Sequence, residues 1–191
     1  KRLQSEGRNS PADLFITTDA GRLQRAKAAG VLQPVQSAEL NKAVPAQYRD
    51  PDDQWYGLSI RARTIVYAKD RVDAAQLSTY EALAEPQWAG RICVRSSDNI
   101  YNQSLVASMI VADGADSTQR WAEGLVANFA RPPQGGDRDQ VKAVAAGQCD
   151  IALVNTYYLG TMVNAKDETQ RAAAAKVALF WLNQDDRGTH V

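Results

Sequence analysis

Apolar residues along this chain follow two rhythms. Short apolar runs of strand length lie at 13–18 (DLFITT), 91–96 (RICVRS), 150–155 (DIALVN) and 177–182 (VALFWL). A longer run, 58–68 (LSIRARTIVYA), alternates, so that Ser59, Arg61 and Arg63 share one strand face while Ile60, Ala62 and Thr64 share the other. Helical spacing takes over in between. It predicts helices at 21–29, stopped by Gly30, and then at 79–83, 102–112, 117–130, 140–146, from Tyr157 onward, and 168–175. The stretch RPPQGGDRD between two of them reads as a turn-rich loop. Strand and helix alternate almost throughout, which predicts an α/β architecture with mainly parallel sheets flanked by helices.

Composition narrows the function. The 191 residues are 45% hydrophobic, enough for a substantial core, and carry 22 basic and 22 acidic side chains. With no net charge and no basic stripe, neither nucleic acid nor an anionic membrane fits as the main partner, and a small ligand fits better. No apolar run approaches the ~20 residues of a membrane-spanning helix, and no charged-then-apolar leader opens the sequence. KRLQSEGRN reads as the tail of a helix already under way, so the sequence is expected to be an internal piece of a longer protein.

Ligands of parallel sheets bind beyond the carboxyl ends of strands, where helix N-termini offer free N–H groups. Two such corners carry phenols. RICVRS leads through SDNIYN to Tyr101 at the mouth of one helix, and DIALVN leads to Tyr157 and Tyr158 at the mouth of another. Pattern alone leaves these rings either core aromatics or ligands converging on one sheet edge. Zinc and soft-metal sites have little support. The only histidine is His190, near the chain end, and Cys93 and Cys149 show no C-x-x-C spacing.

SEGRNSPADLFITTDAGRL, YGLSIRARTIVYAKDRV, RSSDNIYNQSL, PPQGGDRDQVKAVAAG, GQCDIALVNTYYLG and NQDDRGTHV together resemble the bacterial periplasmic ferric-iron-binding proteins, the solute receptors of iron(III) ABC importers. The adjacent tyrosine pair with a third tyrosine 56 positions upstream is the most specific part of the likeness. The resemblance implies a two-lobed, type II-like periplasmic-binding-protein fold whose first lobe is incomplete in this chain. Residues 1–66 would be part of that lobe, 67–176 the second lobe, and 177–191 the return to the first. Crossings near Tyr67 and Lys176 would form the hinge. It further implies Fe(III) held by the phenolates of Tyr101, Tyr157 and Tyr158, delivery to an inner-membrane ABC permease, a periplasmic location, a monomer, and no nucleic-acid binding or membrane insertion. Phenolate oxygens suit a hard trivalent cation, and three of them would cancel its charge.

The same resemblance suggests roles for other residues. Family members use an arginine near Arg61 and Arg63 to hold a synergistic anion such as carbonate, and a planar guanidinium suits that task. Ser97 and Asp98 occupy the stretch where relatives contact the anion, although the Asp98 carboxylate would repel carbonate; with Ser96 they read otherwise as a helix cap. Asn155 is expected to cap the helix that carries Tyr157. An exported protein matures in an oxidising compartment, so a Cys93–Cys149 disulfide is expected. A related receptor for a polyamine or an oxyanion, with the tyrosines as non-metal contacts, is the alternative. An enzyme is not expected, because none of the common nucleotide-binding, zinc-protease or serine-hydrolase motifs is present.

Overall fold

A computed structural model describes residues 1–190; Val191, the last residue of the expected return segment, lies outside the described residues. The chain divides into two compact units, residues 1–60 and Arg61 onward. This division falls before the expected boundary at Tyr67 and groups the segment from Val177 with the second unit.

The first unit is built from short helices, α1 (Arg2–Glu6), α2 (Ala20–Ala28) and α3 (Ala38–Ala43), joined by irregular segments. Asp19 opens α2 by accepting a hydrogen bond from the Gly21 amide at 2.9 Å, and Gly30, with φ 64°, follows its end in the left-handed conformation that an L side chain resists. Lys27 on α2 donates to Asp50 at 2.7 Å and to Asp52 at 2.7 Å, pinning the helix to the loop that follows α3. No strand forms at 13–18. Leu14 and Ile16 are exposed there, and none of the described residues pairs with them. Apolar character cannot make a strand without a neighbouring ladder to satisfy its amides.

The second unit holds the sheet. Its strands are β1 (Arg63–Ala68), β2 (Ile92–Cys93), β3 (Ile151–Asn155) and β4 (Val177–Phe180), in the order β2-β3-β1-β4. The helices are α4 (Ile100–Asp113), α5 (Ala115–Ala127), α6 (Asp137–Ala145), α7 (Thr156–Val163) and α8 (Glu168–Ala175). The segment expected as a helix at 79–83 is a single 3₁₀ turn, Glu81–Ala84. The sheet is mixed rather than mainly parallel. β2 pairs with β3 in parallel, whereas β1 runs antiparallel to both β3 and β4. The crossovers through α4–α6 and through α7–α8 give β2, β3 and β4 a common direction, as helical crossovers do, and β1 is inserted between β3 and β4 in reverse. Residue alternation does not encode strand direction, so the sequence could not show this. β1 is also shorter than its alternating pattern. Leu58 and Ile60 are exposed, and the ladder starts only where Arg63 meets Asn155.

Each strand splits its side chains between two cores. Ile65, Ile151 and Leu153 pack with Trp88, Leu105 and Trp121 on the α4–α5 side of the sheet. Val66, Ala152 and Val154 pack with Val144, Leu159 and Met162 on the α6–α8 side. Burial on both faces explains why DIALVN is an unbroken apolar run. The second core also contains Cys93 and Cys149, joined as a disulfide with Cα atoms 5.9 Å apart. β1 and β4 lie side by side, with Ala68 opposite Val177, so the two expected crossings near Tyr67 and Lys176 are neighbours in the sheet.

Candidate metal centre

The parallel pairing of β2 and β3 sets Ile92 opposite Ile151 and Cys93 opposite Ala152, so both strands deliver the chain to the same edge of the sheet. β3 passes directly into α7, whose second and third residues are Tyr157 and Tyr158. β2 leads through a short loop into α4, whose second residue is Tyr101. The hydroxyls of Tyr101 and Tyr157 are 3.3 Å apart, and the Tyr157 and Tyr158 ring centroids are 4.2 Å apart with planes tilted by 31°. All three rings are half-buried. The structure therefore brings together the three tyrosines that the sequence singled out, at two helix mouths.

Each phenol has an arginine over its ring. The guanidinium carbon of Arg61 lies 5.4 Å from the Tyr157 centroid, that of Arg95 5.6 Å from Tyr101, and that of Arg138 5.4 Å from Tyr158. A cation over an aromatic face is attracted by the ring quadrupole, worth about 0.5–2 kcal/mol according to exposure. Burial, followed by hydrogen bonding with Tyr101 and Tyr158 that favours the protonated form, pushes the Tyr157 phenol well above the usual tyrosine value. Without a metal Tyr157 is a neutral phenol, and ligating a cation there must release its proton.

The two candidates for the anion-holding arginine differ sharply. Arg61 is half-buried at the face of Tyr157. Arg63 is 2% exposed and already engaged, donating to Asp137 at 3.3 Å, to the Asn155 side chain at 3.0 Å and to Asn102. Ser97 and Asp98 are exposed in the turn before α4, where the Asp98 amide donates to Ser96 Oγ. The cap of α4 is Asn99, whose side chain accepts from the Tyr101 amide at 3.0 Å. Asn155 occupies the cap position of α7 without capping it through its side chain, because its Oδ1 accepts from Arg63 instead. Among the described residues no group of three His, Cys, Asp or Glu side chains is placed to hold a metal.

Sequence reasoning missed Asp137, Arg95, Asn102 and Arg138. Asp137 lies in RPPQGGDRD, read above as a loop, yet α6 starts at this residue, three positions before the expected helix start. The Asp139 carboxylate accepts from the Gly136 amide at 2.8 Å, closing the first turn. An acidic residue right after Gly-Gly is a legible helix-start signal. The burial of Asp137 is not legible, because its arginine partners are 74 and 42 positions upstream.

Residues 9–184 match the family described as bacterial extracellular solute-binding protein. The chain belongs to that family. This solute-binding protein is 53% identical to iron uptake protein A1 of Synechocystis sp., with all of its length aligned to 53% of that relative. It superimposes with a TM-score of 0.96 on Trichodesmium IdiA (FutA) in complex with iron and citrate ligands, at 53% identity, covering 99% of this chain and 60% of that one. The ferric binding protein from Campylobacter jejuni matches with a TM-score of 0.95 at 42% identity, again with 60% of that chain covered. The solute-binding protein thus spans a little over half the length of these relatives. Those structures are two-lobed periplasmic iron-binding proteins, and the α/β architecture described above matches them.

Proposed function

We propose that this chain is part of a periplasmic receptor that binds Fe(III) through the phenolates of Tyr101, Tyr157 and Tyr158 and delivers it to an inner-membrane ABC permease. The carrying observation is the 3.3 Å approach of the Tyr101 and Tyr157 hydroxyls, with Tyr158 stacked beside them, at one sheet edge. Hard trivalent iron prefers anionic oxygen donors, and metal binding is the event that drives off the phenol protons. The family and the iron-binding relatives support the same reading. Further ligands would come from outside these residues or from a small anion. Arg61 is the side chain suited to such an anion, carbonate included, since Arg63 is buried with both terminal nitrogens bonded to Asp137, Asn155 and Asn102. On this reading residues near Tyr67 and Lys176 form the hinge between two lobes, and the receptor works as a monomer without catalytic activity.

Single Tyr→Phe changes at 101, 157 and 158 test the assignment, because they remove one oxygen and keep the ring's packing. Fe(III)-loaded protein should show a visible phenolate-to-iron band, and each change should weaken binding and shift or bleach that band while leaving the fold intact. A parent protein with no visible band, or three variants with unchanged band and affinity, would return the tyrosines to core aromatics or to contacts for a polyamine or oxyanion.

A further inference from the structure

One buried carboxylate bonds to groups that lead to each of the tyrosine-bearing helices. Asp137 is 1% exposed. Its Oδ2 accepts from the Asn155 backbone amide at 2.7 Å and from Arg63 at 3.3 Å, and its Oδ1 accepts from Arg95 at 3.1 Å. Asn155 is the last residue of β3, two positions before Tyr157. Arg95 spreads its guanidinium over the Tyr101 ring. Arg63 continues the chain of bonds to the side chain of Asn102, the neighbour of Tyr101, and Asn102 in turn donates to the Arg95 carbonyl at 2.9 Å. Arg138, the residue after Asp137, covers the Tyr158 ring. The first turn of α6 therefore addresses all three phenols.

A charge network in this place needs a reason beyond stability. Burying ions costs desolvation energy, and well-packed apolar residues often serve a fold as well or better. A chelating site has a stricter requirement, because its oxygens must be held to within about 0.5 Å of the productive geometry. Rings at helix mouths are tethered only through their own backbone unless something else fixes them. Asp137 bonds to two guanidiniums and one amide, and those groups belong to, or bond to, the entries of both α4 and α7.

We propose that Asp137 is the positioning residue for the tyrosine trio, acting through Arg95, Arg63 and the Asn155 amide, and that it sets the geometry in which the phenolates meet the metal. This rests on the iron-ligand reading above. Asp150 supplies the control: it sits at the opposite end of β3 and also binds two arginines, Arg71 and Arg91, each at 2.7 Å. Fe(III) affinity and the visible band are measured for the parent, Asp137→Asn, Arg95→Gln and Asp150→Asn, with circular dichroism verifying the fold. Asp137→Asn and Arg95→Gln should each lower affinity by about 10–100-fold, the range typical of outer-shell partners of metal ligands. Both should also shift the band although all three phenols remain. Asp150→Asn should leave affinity and band unchanged despite losing a comparable ion-pair node. If Asp137→Asn does not fold, Arg95→Gln carries the test alone, since that side chain is 18% exposed and its loss leaves Asp137 paired with Arg63. A parent without a band defeats the ligand reading. A parent with a band that survives unaltered in the folded Asp137 and Arg95 variants, or that moves as much in Asp150→Asn, overturns the positioning role.

Discussion

At the mouth of α4 the side chain of Asn99 accepts from the Tyr101 amide two residues on, a bond that adjacent sequence can make by itself. At the mouth of α7 the residue in the same position, Asn155, turns its side chain to Arg63, and its own backbone amide is held by Asp137 from another helix. One mouth is closed locally and the other by long-range bonds. Both present a tyrosine, and the two hydroxyls meet. The contrast shows that a phenol-bearing helix mouth can be closed by a cap within its own helix or by a network built from distant parts of the chain, and that only the second kind links the two mouths to each other.

The largest expected effect lies at the long-range mouth. Asp137→Ala should destabilise the protein by about 3–5 kcal/mol, because it strands the buried Arg63 charge; urea denaturation measures it, and a loss no greater than a surface mutation's would erase the contrast. Second comes the link between the two strands that feed the mouths. Cys93 and Cys149 are 56 positions apart, and replacing both by alanine should cost about 2–4 kcal/mol. Thiol labelling of the denatured, unreduced parent should find no free cysteine; two free thiols would remove the expectation.

A third effect acts on the strand that supplies Arg63. The Tyr80 hydroxyl donates to the Arg63 carbonyl, and burial pushes this phenol up to about 12, against the opposing hydrogen bond from the His190 amide. Because the folded value is raised, its contribution is fully present below the unfolded value near 10 and is lost as pH rises toward about 12. Between those limits the parent should lose on the order of 2 kcal/mol more stability than Tyr80→Phe. Denaturation curves from pH 9 to about 12 read the difference, and parallel slopes would contradict it. The smallest effect belongs to the local mouth. Asn99→Ala should cost about 1 kcal/mol, the usual value of a lost side-chain cap. A cost equal to that of Asp137→Ala would mean the two mouths are held alike.

How much of this was legible depends on the range of the interaction. The helix at 168–175 was read to the residue, and DIALVN became β3, because apolar spacing and caps act within a few positions. The run at 13–18 looked just as strand-like and pairs with nothing among the described residues, since a strand is a property of two segments. The corners that carry the tyrosines were legible in the pattern, but only the family resemblance raised these phenols above ordinary core aromatics. Asp137 was missed because an aspartate in a Gly-rich stretch looks like any surface acid until its arginines arrive.

By itself the sequence determined α2 and the helices of the second unit to within a few residues, the apolar segments available to become strands, and the two corners bearing phenols, since these follow from local backbone preference and from which side chains avoid water. Tertiary structure alone decided the reversed direction of β1, the burial of Arg63 while its neighbour Arg61 stays at the face of Tyr157, and the meeting of Tyr101 with Tyr157. Direction, partner and distance belong to pairs of residues far apart in the chain, and folding fixes them through ladder hydrogen bonds and buried charge pairing that no local pattern contains.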